Sequence, residues 1–202
     1  MHFSVLEIIA TLCALFYLYF IIRKKSVGWL FGAVAALLYG EIMYQQGLWL
    51  QTLLQGFYFC TTIYGFWHWK TQQAEGTFHI QRMSHLWHEW IVGTLILVSF
   101  FVGHLTYSLS SEPLIPALYY LDALIALGSM AATWMVARGY LENWLYWMVL
   151  DTLAASLYYQ QGLTLTAGLF VLYTGLSVVG YRKWMGQEQV VTERVSASQG
   201  RA

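Results

Sequence analysis

Charge is scarce in this chain. Asp, Glu, Lys and Arg make up 10% of its 202 residues, against about 25% in soluble domains. With 58% hydrophobic residues beside it, that shortage excludes a water-exposed globular surface. Cysteine is scarcer still. Cys13 and Cys60 both fall inside apolar runs with no partner spacing, so they are expected to be small core residues, and a disulfide or metal site is not expected. The formal net charge is zero, which says nothing about partners because the distribution of charge is what matters; no nucleic-acid partner is expected. The first apolar run has neither a basic leading segment nor a small-residue cleavage site, so it reads as a retained helix. There is no Gly-x-x-x-x-Gly-Lys loop, no nucleophile elbow and no mid-membrane His-x-x-x-His pair beside an acid. Those absences argue against an enzyme, against nucleotide-driven work by this chain alone, and against a metal or other cofactor.

Long apolar runs fill the space that charge leaves. Seven can be read, at 5–22, 27–44, 48–69, 86–107, 114–137, 141–159 and 163–184. Runs of about twenty residues span a bilayer as helices, whereas barrel strands show about ten residues of alternation. The expected class is therefore an all-α polytopic membrane protein with seven transmembrane helices. Its basic residues fix an orientation. Arg23, Lys24 and Lys25 follow the first run, and Lys70 and Arg82 follow the third. Arg138 follows the fifth, and Arg182, Lys183, Arg194 and Arg201 lie at or beyond the end of the seventh. All ten Lys and Arg residues then share one side. By the positive-inside rule the N-terminus is outside and the C-terminus cytoplasmic. Aromatic residues at run ends, such as Trp67 and Tyr107, fit an interfacial belt.

The chain also repeats itself. Two Gln-Gln-Gly-Leu segments, at 45–48 and 160–163, lie 115 residues apart, and the same offset aligns 6–69 with 121–184 without a gap. Trp29 then meets Trp144, Arg23 meets Arg138, Tyr58 meets Tyr173, Gly65 meets Gly180 and Trp69 meets Trp184. About seventeen of sixty-four positions are identical, which signals duplication. The expected plan is a first three-helix repeat at 1–70, a linker with the fourth helix at 71–113, a second repeat at 114–185, and a disordered cytoplasmic tail at 186–202. Channels, enzymes and receptors can also be duplicated, but a 3+1+3 plan of parallel repeats without a soluble domain favours a facilitator with a substrate site between the halves near mid-membrane.

One face of the sixth run carries the chemistry. Trp144, Trp147 and Asp151 are spaced by three and four residues, which aligns them on a helix. An ionisable group in mid-membrane is a functional hypothesis by default. Two indoles and a carboxylate together suit a flat, positively charged ligand. In the first half the matching positions hold Gly32 and Ala36 in place of Trp147 and Asp151, so the site is asymmetric. Gln55 reads equally as a ligand contact or as inter-helix glue. Tyr58 and Tyr173 could give hydroxyls to a ribose-like group or simply pack, and Asp122 is a candidate for the cavity wall. Proton relay is the rival role for Asp151.

These residues resemble a known family. The run Glu142, Asn143, Trp144, Leu145, Tyr146, Trp147 and then Asp151 is similar to the signature of PnuC-type vitamin transporters. So are Gly180, Tyr181, Arg182 and Trp184, and in the first half Trp29, Gly32, Leu54, Gln55, Tyr64, Gly65 and Trp69. The resemblance implies a SWEET-like facilitator in the bacterial inner membrane, in contact with membrane lipid, that takes up nicotinamide riboside for NAD synthesis. It implies passive transport with trapping by a separate cytoplasmic kinase, and it extends to a homotrimer. Several such carriers have Asn where this chain has Asp151. Thiamine is therefore the alternative substrate, riboflavin is carried by other relatives, and proton-coupled uptake through Asp151 is the alternative mechanism.

Overall fold

In the computed structural model the described residues are 5–45, 49–76, 78–110, 115–162 and 164–199. Parts of both Gln-Gln-Gly-Leu segments, and residues 111–114, lie outside them. Among the described residues seven α-helices follow in order: α1 Val5–Ile22, α2 Val27–Gln45, α3 Trp49–Ala74, α4 His85–Leu109, α5 Pro116–Arg138, α6 Asn143–Gln160 and α7 Thr164–Gln199. Each apolar run became one helix. Two helices outrun their runs. α3 continues through Lys70, Thr71, Gln72 and Gln73, because apolarity stops there while nothing breaks the helix. α7 likewise reaches Gln199, where the sequence led us to expect a disordered tail. Residues 187–199 contain neither Gly nor Pro, so no residue in that stretch opposes helix strongly.

Four helices, α1, α2, α4 and α5, are long and apolar enough to cross a membrane. α3 and α6 are rich in Trp, Tyr and Gln, which hydropathy scales score as polar although the aromatic rings suit bilayer interfaces. Large apolar side chains point outward along the helices, among them Phe101, Ile96 and Val149. In water such a surface would aggregate; in lipid it is the solvated face. The same logic corrects the cysteines. Cys60 is exposed and Cys13 half-buried, both as free thiols, since an apolar thiol can face a surface that is itself apolar.

The chain forms two compact units. Among the described residues, the first comprises those within 5–80, 136–139 and 186–199, and the second those within 81–135 and 140–185. In the first, α2 packs against both α1 and α3. Its buried positions are Gly28, Trp29, Gly32, Ala35 and Ala36, a stripe of small residues interrupted by one indole. In the second, α6 buries Asn143, Trp144, Leu150, Asp151, Ala154 and Leu157. At an offset of 115, Gly28, Trp29, Ala35 and Ala36 fall on Asn143, Trp144, Leu150 and Asp151.

Helix ends match at the same offset. At the end of α1, Lys24 N–H donates to Ile21 O at 2.9 Å and Lys25 N–H to Phe20 O at 2.9 Å. At the end of α5, Gly139 N–H donates to Val136 O at 3.0 Å and Tyr140 N–H to Met135 O at 3.0 Å. Both are Schellman closures, which need a left-handed residue after the helix. Gly139 supplies it at φ 76°, and Lys24 is forced into it at φ 54°. Burial also lowers the pKa of the Lys24 ammonium group.

Three contacts secure the connection after α3. Within the first unit Phe78 packs on Trp69 at 4.9 Å between ring centroids. Within the second, Gln81 O accepts from Leu141 N–H at 2.9 Å, and Glu142 Oε2 accepts from Met83 N–H at 3.2 Å.

Candidate functional site

The candidate site is built where α6 meets α7 in the second unit. Positions 173, 177, 180 and 184 of α7 are spaced by four, three and four residues, which places Tyr173, Ser177, Gly180 and Trp184 along one stripe. Three of them meet residues of α6. A Cβ on Gly180 would lie 2.6 Å from Cε3 and Cζ3 of Trp144, so only glycine admits the indole there. The Trp144 ring also meets Trp184 edge-on, with centroids 5.4 Å apart and planes at 88°. Two turns further along α6, Asp151 Oδ2 accepts a hydrogen bond from Ser177 Oγ at 3.5 Å.

Trp144 is therefore a packing residue. The residue is 1% exposed, so in this conformation its ring is taken up by packing between α6 and α7. The first unit repeats the arrangement. Trp29 lies over Gly65, where a Cβ would come within 2.6 Å of the ring, and meets Trp69 at 5.4 Å and 88°. The indole N–H groups of Trp29 and Trp144 are buried without a hydrogen-bond partner among the described residues, so both rings are held by packing. Trp69 Nε1 differs, donating to Ala137 O at 3.0 Å.

Asp151 is 4% exposed and Ser177 2%. The serine hydroxyl gives the carboxyl its one hydrogen bond among the described residues, at the long end of hydrogen-bond distance. An ionised carboxylate has about four acceptor positions, so most of its capacity is unused. Trp147 is half-buried, unlike Trp144, and keeps ring surface available. Tyr173 is half-buried and meets Phe170 edge-on at 5.8 Å, while Phe170 stacks on Tyr158 at 5.2 Å. Asp122 is exposed on α5 and acts electrostatically on Tyr158. In the first unit Gln55 is half-buried on α3, its Cβ 3.5 Å from where a Cβ on Gly40 of α2 would lie. Tyr58 is half-buried and edge-on to Phe57 at 5.9 Å.

Sequence reasoning missed Ser177, because a lone serine in an apolar run carries no signal of its own. Its place between Tyr173 and Trp184 at helical spacing could have found it. Asn143 lies beside Trp144 at the start of α6. It is fully buried, and its amide donates to Tyr140 O.

The chain matches the family described as nicotinamide mononucleotide transporter over residues 4–186. It belongs to that family. Among curated proteins it is similar to the nicotinamide riboside transporter PnuC of Escherichia coli strain K12, 24% identical over 204 residues, covering 90% of this chain and 85% of that one. It is also similar to the riboflavin/roseoflavin transporter RibM of Streptomyces davaonensis. That match is 30% identical over 93 residues, covering 46% of this chain and 40% of RibM. Among solved structures it resembles the vitamin B3 transporter PnuC, with a TM-score of 0.67 and 20% identity, covering 90% of this chain and 80% of that one. At that identity the likeness establishes the fold. Membership in a transporter family, with four apolar spans, makes this a multi-pass protein of the bacterial inner membrane with a small-molecule substrate.

Proposed function

We propose that this chain carries nicotinamide riboside into the cell by facilitated diffusion, with trapping by a separate cytoplasmic kinase. The observation that carries the reading is Asp151: a buried carboxyl with most of its acceptor capacity unused, one helical turn from a half-buried indole. A flat cation suits both groups, since the indole attracts it through its ring face and the carboxylate through charge. Trp147 and Asp151 are the central contacts, with Ser177 orienting the carboxyl. Gln55, Tyr58, Tyr173 and Asp122 are proposed as further polar contacts, and Trp144 holds α6 on α7.

The transport mechanism in this reading is alternating access by two parallel three-helix repeats joined by α4, with seven spans, the N-terminus outside and the C-terminus cytoplasmic. Three correspondences at the 115-residue offset support the repeat: the buried positions of α2 and α6, the closures after α1 and α5, and the two Trp-Gly-Trp clusters. The reading includes a homotrimer, which light scattering on the purified protein checks.

Titration calorimetry on the purified protein with nicotinamide riboside, thiamine and riboflavin tests the substrate. Saturable binding of nicotinamide riboside in preference to the other two supports the proposal; binding of none removes it. Thiamine is the second reading, because a carboxyl at position 151 can pair with an aminopyrimidine edge. Proton coupling is distinguished separately. It requires uptake driven by an imposed pH gradient and abolished in Asp151→Asn.

A further inference from the structure

Three positions of the first unit have exchanged sizes with their counterparts 115 residues on. A Cβ on Gly32 would lie 2.8 Å from Tyr17 Cδ2 and 2.9 Å from Thr62 Cγ2, so glycine is what allows the Tyr17 ring to occupy that level. At the matching positions stand Ala132, Trp147 and Ser177. Where Tyr17 of α1 is large, Ala132 of α5 is small. Where Gly32 of α2 is absent of side chain, α6 carries Trp147. Thr62 has a methyl that would obstruct a side chain at position 32, and Ser177 lacks that methyl. By the 115-residue offset, each set of three positions holds one large aromatic, on the first helix of the triplet in one unit and on the second helix in the other.

Tyr17 has a second property. Its ring is half-buried and edge-on to Trp29 at 5.6 Å, yet its hydroxyl makes no hydrogen bond among the described residues. α1 is long and apolar enough to span the membrane. A hydroxyl on such a helix has little water to satisfy it, and leaving it unmade is costly.

We infer that Tyr17 is a substrate-contacting residue: it fills in the first unit the role Trp147 fills in the second, and its hydroxyl hydrogen-bonds a polar group of the bound vitamin. The inference rests on the transport reading above and on the repeat proposed with it.

The test uses the full-length purified protein in detergent, with nicotinamide riboside, thiamine and riboflavin as titrants. Tyr17→Phe keeps the ring and removes only the hydroxyl, and is expected to weaken binding about tenfold. Gly32→Trp alone is expected to melt well below wild type, through overlap with Tyr17 and Thr62. The triple variant Tyr17→Ala, Gly32→Trp, Thr62→Ser, which installs the second unit's trio, is expected to recover most of that loss. Unchanged affinity in Tyr17→Phe, with loss in Asp151→Ala, overturns the inference and leaves the transport reading standing. A Gly32→Trp protein as stable as wild type overturns the size exchange. Binding of no vitamin by wild type removes the transport reading and this inference together.

Discussion

Gly180→Ala adds one methyl group at the most crowded point of the second unit. The new Cβ would sit 2.6 Å from two carbons of the Trp144 ring and 2.7 Å from a third. The ring has little room to retreat, being 1% exposed and edge-on to Trp184, itself fully buried. Overpacking of this kind costs about 1–3 kcal/mol. A 2.6 Å contact on a ring that cannot retreat falls in the upper part of that range, about 2–3 kcal/mol. Alanine is a better helix former than glycine by about 1 kcal/mol, so the net loss is about 1–2 kcal/mol. For a chain of this size each kcal/mol moves the melting temperature by about 2–4 °C, giving an expected drop of roughly 2–8 °C in detergent. Gly175 provides the control on the same helix, since a Cβ there meets nothing within 4 Å. Gly175→Ala should therefore melt at or slightly above wild type. Differential scanning fluorimetry with an intrinsic-fluorescence readout measures both. Gly180→Ala as stable as wild type, or Gly175→Ala equally damaged, would refute the claim that Trp144 is clamped on Gly180.

Other outcomes follow from the same geometry. Asp151→Ala removes the charged acceptor and should weaken vitamin binding by about 1.5–3 kcal/mol, with Ser177→Ala giving a smaller loss; calorimetry reads both. Trp147→Ala should cost about 0.5–2 kcal/mol of affinity through the lost cation–π face, while the melting temperature changes less than in Gly180→Ala. Trp69→Phe removes the 3.0 Å bond to Ala137 O and should destabilise by about 1–3 kcal/mol in thermal melts. Lys24→Gly relieves a left-handed lysine that Gly139 replaces at the matching closure, and should raise stability by about 1 kcal/mol.

Much of the fold was legible because a bilayer imposes a length on apolar runs. α1 ends where its run ends, and α2 differs by one residue. What the runs could not show is how far a helix continues once it leaves the apolar zone, since hydrophobicity marks the membrane and hydrogen bonding marks the helix. α3 and α7 extend for that reason. At the site, Asp151 was legible as a lone carboxyl in an apolar helix. The role of Trp144 was not, because spacing aligns it with Trp147 and Asp151 but says nothing of what lies above each ring. Gly180, thirty-six residues later, decides it. Ser177 and the exchange of Tyr17 for Trp147 were hidden similarly, since each depends on which side chains stack at one level.

The central claim is that this chain by itself passes a vitamin down its gradient. Purified protein in liposomes, with labelled nicotinamide riboside outside and no ion gradient, tests it most directly. The account predicts entry that saturates with concentration, equilibrates without accumulation and is impaired in Asp151→Ala. Entry no faster than in protein-free liposomes, from a preparation shown to be folded, would contradict it.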